Sequence, residues 1–249
     1  MDAKHWDSLA GTFEQEVMSS LHTDKSGVLN KALRNYISKK DHVADFGCGV
    51  GGFIPLLSKC AKHVSGSDFS PKCIEIAKAK FANKKNVDFF VHDLTKPLKK
   101  KYDVAVAANV LIAHQPDMLK KMLQNLAASV KKGGYLIVVV PSLESSLHVY
   151  KTVAEVLMLQ GETPEESRKS AAADMKKDYI SIFDGVIRVG DVPTKHYLAE
   201  EFEAQLLRFK MEVVQRKKLQ YPWDTEIENP PKNLKGSEPW DWMFVAKKQ

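Results

Sequence analysis

Cysteine is scarce in this chain, with three residues in 249, at Cys48, Cys60 and Cys73. An odd number, spaced 12 and 13 residues apart, supplies no disulfide framework and fits no common zinc pattern. Reduced thiols in a cytoplasmic protein are the expected state. No apolar run approaches the roughly 20 residues that cross a bilayer, so no membrane-spanning helix is expected. The stretch from Met1 to Glu16 carries acids and lacks an apolar signal core, which argues against a secretory peptide. Repeats and low-complexity segments are absent too. A concentrated basic patch is also lacking. The net charge is +6, but the lysines are spread out, and the densest group, Lys96, Lys99, Lys100 and Lys101, has only Tyr102 as an aromatic neighbour. A solvated loop accounts for it better than a nucleic-acid surface. No acidic metal triad stands out. Asp178, Asp184 and Asp191 are the nearest approach, and nothing else in the sequence supports a metal.

What remains is ordinary globular composition, 44% hydrophobic and 27% charged, enough for one sizeable core with an insertion. Residues 6–39 read as helix in two pieces, broken near Thr23–Gly27. Short apolar runs at His42–Phe46, His63–Ser67, Val87–Val91 and Tyr102–Ala107 then alternate with helical stretches at Phe53–Ala61 and Pro71–Phe81. Ser70 suits an N-cap, and Pro71 suits a first helical turn, where its missing N–H costs nothing. Between Pro116 and Val130, apolar residues at 118, 119, 122, 123, 126, 127 and 130 form a helical stripe. Gly133-Gly134 reads as a turn into Tyr135–Val140, a fully apolar strand. This alternation predicts an α/β fold, a Rossmann-like, doubly wound and mostly parallel sheet buried on both faces. After residue 144 the alternation stops. Helices near 145–160 and 165–182 meet at Gly161 and Pro164. Leu198–Phe209 has helical spacing, and Met211–Leu219 and Trp240–Lys247 read as closing strands around a Pro-rich connection, 222–239. The expected organisation is one domain over 1–249. It comprises a helical cap (1–40), a binding core (41–141), a helical insertion (144–197) and a closing helix with two strands (198–249), giving seven strands in all.

The chemistry gathers at Val43-Ala44-Asp45-Phe46-Gly47-Cys48-Gly49-Val50-Gly51-Gly52. Glycines directly after a strand let the chain turn sharply and let backbone approach a ligand. The helix that follows offers free N–H groups. Gly47, Gly49 and Gly52 also satisfy the dinucleotide pattern, so the turn by itself does not discriminate. Asp45, two residues before Gly47, would repel a pyrophosphate but could hold an ammonium; alternatively it caps local N–H groups. Asp68, closing the second strand, can accept from ribose hydroxyls or cap the next helix. Asp93, in Val91-His92-Asp93-Leu94, can accept from an adenine amine while the next N–H donates to the ring, or it can open a turn with Thr95 and Pro97.

The ordered series D-F-G-C-G-V-G, G-S-D-F-S, H-D-L, Y-D-V-A-V-A-A-N-V-L and K-K-G-G-Y-L-I-V-V-V, over about residues 43–141, resembles the motifs of class I S-adenosylmethionine-dependent methyltransferases. The resemblance implies that Asp45 and the loop Gly47, Cys48, Gly49 and Gly51 hold the methionine end of S-adenosylmethionine. It further implies that Asp68 binds the ribose, Phe69 flanks the adenine, Asp93 and Leu94 read the adenine edge, and Asn109 lines the mouth of methyl transfer. His5-Trp6-Asp7-Ser8-Leu9-Ala10 with Phe13 is similar to the segment that opens many small-molecule methyltransferases. That likeness places Trp6 and Phe13 over the cofactor; an amphipathic helix packed on the sheet is the other reading.

A sulfonium donor is already activated, so alignment carries much of the rate, and a base is needed only if the acceptor must lose a proton. His114, His148 and His196 are candidates, with His114 best placed, just past Asn109. Apolar residues Leu147, Val149, Tyr150, Val153, Leu157 and Met158 of the insertion either line an acceptor pocket or pack as an ordinary helix face. Tyr179, Phe183, Tyr197, Trp223, Trp240 and Trp242 could enclose an acceptor, although Trp240 and Trp242 fall in a strand, where core packing is the simpler role. The absence of N-P-P-Y or D-P-P-Y after strand four, where the text is Ala108-Asn109-Val110-Leu111, disfavours amino methylation of DNA bases. No cysteine stands at a strand-four or strand-five end for cytosine chemistry. The expectation is a small-molecule O-, N- or S-methyltransferase. Alternatives are a protein, peptide or RNA methyltransferase, or a non-catalytic module that binds the cofactor. A nicotinamide oxidoreductase is disfavoured by Asp45 and by the lack of a second mononucleotide-binding half.

Overall fold

The structure, a computed structural model, describes residues 6–8, 10–11, 24 and 26–249. Phe13 therefore lies outside the described residues, as does most of the expected cap before residue 24. Helix α1 (Val28–Tyr36) is started by Asp24, whose carboxylate accepts from the N–H groups of Val28 at 2.9 Å and Leu29 at 2.8 Å. Its buried residues, Leu29, Ala32 and Leu33, face the sheet.

Strand and helix then alternate as the apolar runs predict: β1 (His42–Phe46), α2 (Ile54–Cys60), β2 (His63–Asp68), α3 (Pro71–Lys80), β3 (Val87–Val91), β4 (Tyr102–Ala108), α4 (Pro116–Ser129) and β5 (Val130–Pro141). Ser70 is the N-cap of α3, its Oγ accepting from the Cys73 N–H at 3.1 Å. The α4 stripe buries Leu119, Leu123, Leu126 and Ala127. Four of these elements differ from expectation by a single residue at one end or both, and β5 differs by more. The Gly133-Gly134 turn lies inside β5, which starts at Val130 and shifts register against β4 between Tyr102 and Val104. Gly133 takes up that irregularity at φ 78°. A Cβ on Gly134 would lie 2.5 Å from the Asp103 carbonyl oxygen, so the two strands pass too closely for any side chain there.

After α7 (Ala199–Arg208), strands β9 (Met211–Gln220) and β10 (Trp240–Lys248) complete the main sheet. Among the described residues it has seven strands in the order β3-β2-β1-β4-β5-β10-β9. The first five run parallel, and β10 is antiparallel to both neighbours. Alternate residues feed two cores. Val43, Val104, Val106, Ile137, Val139, Met243 and Val245 pack under α1 and α2. Ala44, Phe46, Ala105, Ala107, Val138 and Phe244 pack under α4 and α7.

The insertion is not purely helical. Helices α5 (Leu143–Leu159) and α6 (Pro164–Asp178) are followed by a three-stranded antiparallel sheet of β6 (Tyr179–Ser181), β7 (Val186–Val189) and β8 (Val192–Lys195). The second helix thus stops at Asp178 rather than running to 182. There Asp178 accepts the Tyr150 hydroxyl at 2.5 Å, and Tyr179 pairs with Ile187. The insertion is tied to the sheet edge by Lys195 N–H to the Ile112 carbonyl at 3.0 Å and by the Tyr197 hydroxyl to the Leu111 carbonyl at 2.9 Å. Among the described residues, no helix is long and apolar enough to cross a membrane.

Candidate active site

Parallel strands bring their C-terminal ends to one edge, and the glycine turn sits there. Gly47, Gly49 and Gly51 have φ of 67°, 50° and 91°, the left-handed region that side chains resist. A Cβ on Gly47 would lie 2.4 Å from Val110 Cγ2, so the loop after β4 rests directly on the turn. Cys48 continues the β1–β2 ladder through its N–H to the Ser67 carbonyl at 2.9 Å. Its buried thiol lies beside Gly66, where burial pushes its pKa up, so Cys48 contributes backbone rather than a reactive sulfur.

Asp45 is 2% exposed, and its Oδ2 has no hydrogen-bond partner among the described residues. Burial, and then the neighbouring Asp68 charge, push its carboxyl up to about 8. An uncompensated buried carboxylate is costly, and a cationic ligand removes that cost. The capping alternative fails for this oxygen. Asp68 is committed to the loop. Its Oδ2 accepts from the Gly49 N–H and its Oδ1 from the Ser70 N–H, both at 2.9 Å. Burial raises its pKa against those backbone donors. Each carboxylate oxygen has two lone pairs, so Asp68 can shape the glycine turn and still accept from hydroxyls.

The third acid is placed differently. The His92 N–H donates to the Asp68 carbonyl at 2.8 Å, which brings the β3 tip beside that of β2. Asp93 itself is exposed, and its Oδ1 accepts from both the N–H and the hydroxyl of Thr95 at 2.9 and 2.7 Å. The turn reading of Asp93 is the contact present. Leu94 is buried in the core and Phe69 is half-buried. The N-terminal segment lies over this corner. Asp7 accepts from the Ser70 hydroxyl at 2.5 Å and from the Lys72 N–H at 3.3 Å, and Ala10 packs with Val50 and Cys73. Trp6, next to Asp7, is half-buried.

Past β4, Asn109 takes φ 54° and donates through Nδ2 to Asp241 Oδ2 in a long bond of 3.4 Å. Asp241 escaped the sequence reading. It stands in Trp240-Asp241-Trp242, which reads as a core strand, and only the pairing of Asp241 with Pro141 across β10 and β5 brings it to the ligand edge. It is 6% exposed, and burial pushes its carboxyl up to about 7, against the Asn109 bond and with the help of Glu226. Tyr221 interacts with Glu226 and Ser145. A cavity of about 530 Å³ opens nearby, lined by Ser26, Tyr221, Trp223, Pro230 and Lys232 among others.

His114 lies half-buried on the β4–α4 loop. His148 donates from Nε2 to the Ser237 carbonyl at 2.8 Å, with its ring between Trp223 and Trp240. His196 donates from Nδ1 to the Thr194 carbonyl at 3.1 Å, and burial lowers its pKa to about 4, so it is a neutral structural group. The packing reading holds for part of the insertion stripe. Val149 and Val153, with Val156, pack on Trp223 and Leu234. Trp240, Trp242 and Tyr197 are core residues, and Phe183 is 95% exposed. Asp178 and Asp184 accept hydroxyls of Tyr150 and Ser181.

The sheet order and the glycine edge define the class I methyltransferase fold. A family model described as a methyltransferase domain matches residues 22–205, and the chain belongs to this family of S-adenosylmethionine-dependent methyltransferases. A ubiquinone biosynthesis O-methyltransferase of Coxiella burnetii is 31% identical over 138 residues, which cover 54% of this chain and 56% of that protein. The chain thus spans about half the length of the curated relatives it matches. Among solved structures, a SAM-dependent methyltransferase of Methanosarcina mazei superposes with a TM-score of 0.63 at 17% identity, covering 87% of this chain and 96% of that one. The N-methyltransferase NodS of Bradyrhizobium japonicum, in complex with S-adenosyl-L-homocysteine, superposes with a TM-score of 0.61 at 14% identity, covering 98% and 97%.

Proposed function

We propose that this chain transfers the methyl group of S-adenosylmethionine to an O, N or S atom of a small-molecule acceptor. The observation that carries the reading is the buried Oδ2 of Asp45, which finds no partner among the described residues and sits at the glycine turn. That donor set fits the amino-acid end of the cofactor. Asp45 takes the ammonium, and the 47–51 backbone cradles the rest of that end. Asp68 takes the ribose with the lone pairs that Gly49 and Ser70 leave. Phe69, Asp93 and Leu94 border the adenine, Asn109 borders the reacting end, and Trp6 lies over the corner. When bound, the cofactor supplies an activated methyl group. The chain's own task is alignment, worth up to about 7–11 kcal/mol in favourable cases.

A small acceptor is supported by the cavity of about 530 Å³, within the range of small-molecule sites, and by the O- and N-methyltransferases among the relatives. His114 stays a candidate base on the strength of its position alone. The setting we assign is the cytoplasm, supported by the free thiols of Cys48, Cys60 and Cys73.

The test is thermal unfolding with S-adenosylhomocysteine or with NAD. Saturation at 100 times Kd stabilises by about 2.7 kcal/mol, or roughly 5–10 °C for a chain of this size. A rise with S-adenosylhomocysteine only, diminished in Asp68→Ala, is the expected result. A preference for NAD, or no rise with either, overturns the reading.

A further inference from the structure

The pleat places Asp45 and Asp241 on one face of the sheet. Asp45 alternates with Val43, and Asp241 with Met243, and both valine and methionine belong to the core under α1 and α2. Both acids stand at the ligand edge, Asp45 on β1 and Asp241 on β10, with the tips of β4 and β5 between them. Neighbouring strands lie about 4.8 Å apart, so roughly 14 Å separates the two positions across the sheet. Asn109, from the β4 tip, reaches across this gap to Asp241. On the far side lies the cavity bounded by Ser26, just before α1, and by Tyr221 and Trp223, just after β9. Asp241 therefore stands between the donor corner and a cavity of small-molecule size, whose lining includes Gln220 and Tyr221, the residues that follow its β9 partner Leu219. The family match ends at residue 205, before both β9 and β10.

We propose that Asp241 is the catalytic base of this site, taking the proton from an O–H or N–H acceptor that enters through the Tyr221–Trp223 cavity. This rests on the methyl-transfer reading above. Asp241 takes the proton as the acceptor's lone pair closes on the methyl carbon and the carbon–sulfur bonding pair returns to sulfur. The sulfonium charge and the carboxylate charge are cancelled together, and the protonated Asp241 then returns its proton to water. A base works best with a pKa near the working pH, and a value of about 7 meets that condition. The groups that face Asp241 are Asn109 from β4, Pro141 from β5, Leu219 from β9, and Glu226 and Tyr221 beyond it. Lys232, Lys235 and Glu238 edge the cavity. Glu226 holds Asp241 up by like charge, and Asn109 opposes it.

The experiment needs no knowledge of the acceptor. The full chain, labelled with ¹³C at the aspartate carboxyls, is titrated by NMR with S-adenosylhomocysteine bound and again with sinefungin bound. Sinefungin carries an ammonium group where the methyl would be. The Asp241 signal is assigned by its loss in Asp241→Asn; should that variant not fold, its displacement in Asn109→Ser makes the assignment. The expected midpoint is near neutrality with S-adenosylhomocysteine and about 1–3 units lower with sinefungin, as a cation within a few ångströms requires. Glu226→Gln is expected to lower both. Equal midpoints in the two complexes would put Asp241 away from the methyl and overturn the proposal while the cofactor reading stands. Failure of both ligands to bind, read from the heat of titration in the same samples, removes the cofactor reading and the proposal with it.

Discussion

Asp45 and Asp241 share a face and an edge of the sheet, yet the chain arrives at them in different ways. Around Asp45 the partners are close in sequence: Gly47 to Gly51 follow it directly, and Asp68 lies one strand–helix unit later, its carboxylate bonded to Gly49 and Ser70. Around Asp241 they are scattered. Asn109 is 132 residues away, and Glu226 comes from a Pro-rich connection that is held by Trp223 against α5. The first corner is a local device, made by a left-handed backbone that glycines adopt and other residues resist. The second exists only once β10 has inserted antiparallel between β5 and β9. On the function proposed above, the former holds the cofactor and the latter faces the acceptor.

The contrast predicts how strongly each side controls affinity for S-adenosylhomocysteine. Gly47→Ala should have the largest effect. A Cβ there meets Val110 at 2.4 Å on a backbone at φ 67°, so about 2–6 kcal/mol of stability and at least about 100-fold in affinity should be lost. Adding Val110→Ala should return the packing part and leave the backbone strain, as denaturant titration of the double variant will show. If Gly47→Ala binds normally, the turn is not the cradle described.

Asp45→Asn comes next, with affinity down by about 30-fold or more if it holds the ammonium. It also has a pH signature. Its folded pKa of about 8 lies above the ordinary 3.8, so the native state keeps a proton that the unfolded chain releases. Ligand-free stability therefore falls as pH rises from about 4 to about 8, and Asp45→Asn should flatten that slope. Affinity for S-adenosylhomocysteine should climb over the upper part of the same interval, since the ammonium requires the ionised carboxylate. A slope unchanged in Asp45→Asn would count against the orphaned carboxylate.

Trp223→Ala should have the smallest effect on binding, within about twofold, because its contacts are with Val149, Val156 and Leu234 and not with the glycine turn. Its consequence should be local, seen as faster hydrogen exchange and proteolysis across 222–239. A large loss of S-adenosylhomocysteine affinity would show that the two corners are one cooperative unit.

Legibility followed the same division. The runs at His42–Phe46 and Val87–Val91 match β1 and β3 to the residue, although only β1 is buried and β3 is a half-buried edge strand. Ser70 and Pro71 marked the start of α3 by local capping chemistry. The insertion was less legible. Nothing before Gly185 breaks the helical pattern, so the stretch to 182 reads as helix, while pairing of Tyr179 with Ile187 makes it a strand. At Asp93 two readings were open, an adenine contact and a turn with Thr95, and the turn is the contact present.

By itself, the sequence determined the parallel core, the glycine turn and the acids at the ends of the first two strands, since each depends on steric limits and burial patterns that span a few residues. Tertiary structure alone decided which way Asp241 faces, what Asn109 reaches, and that the buried Oδ2 of Asp45 stands without a hydrogen-bond partner among the described residues. Those are properties of register and of distance between segments far apart along the chain, and no local pattern carries them.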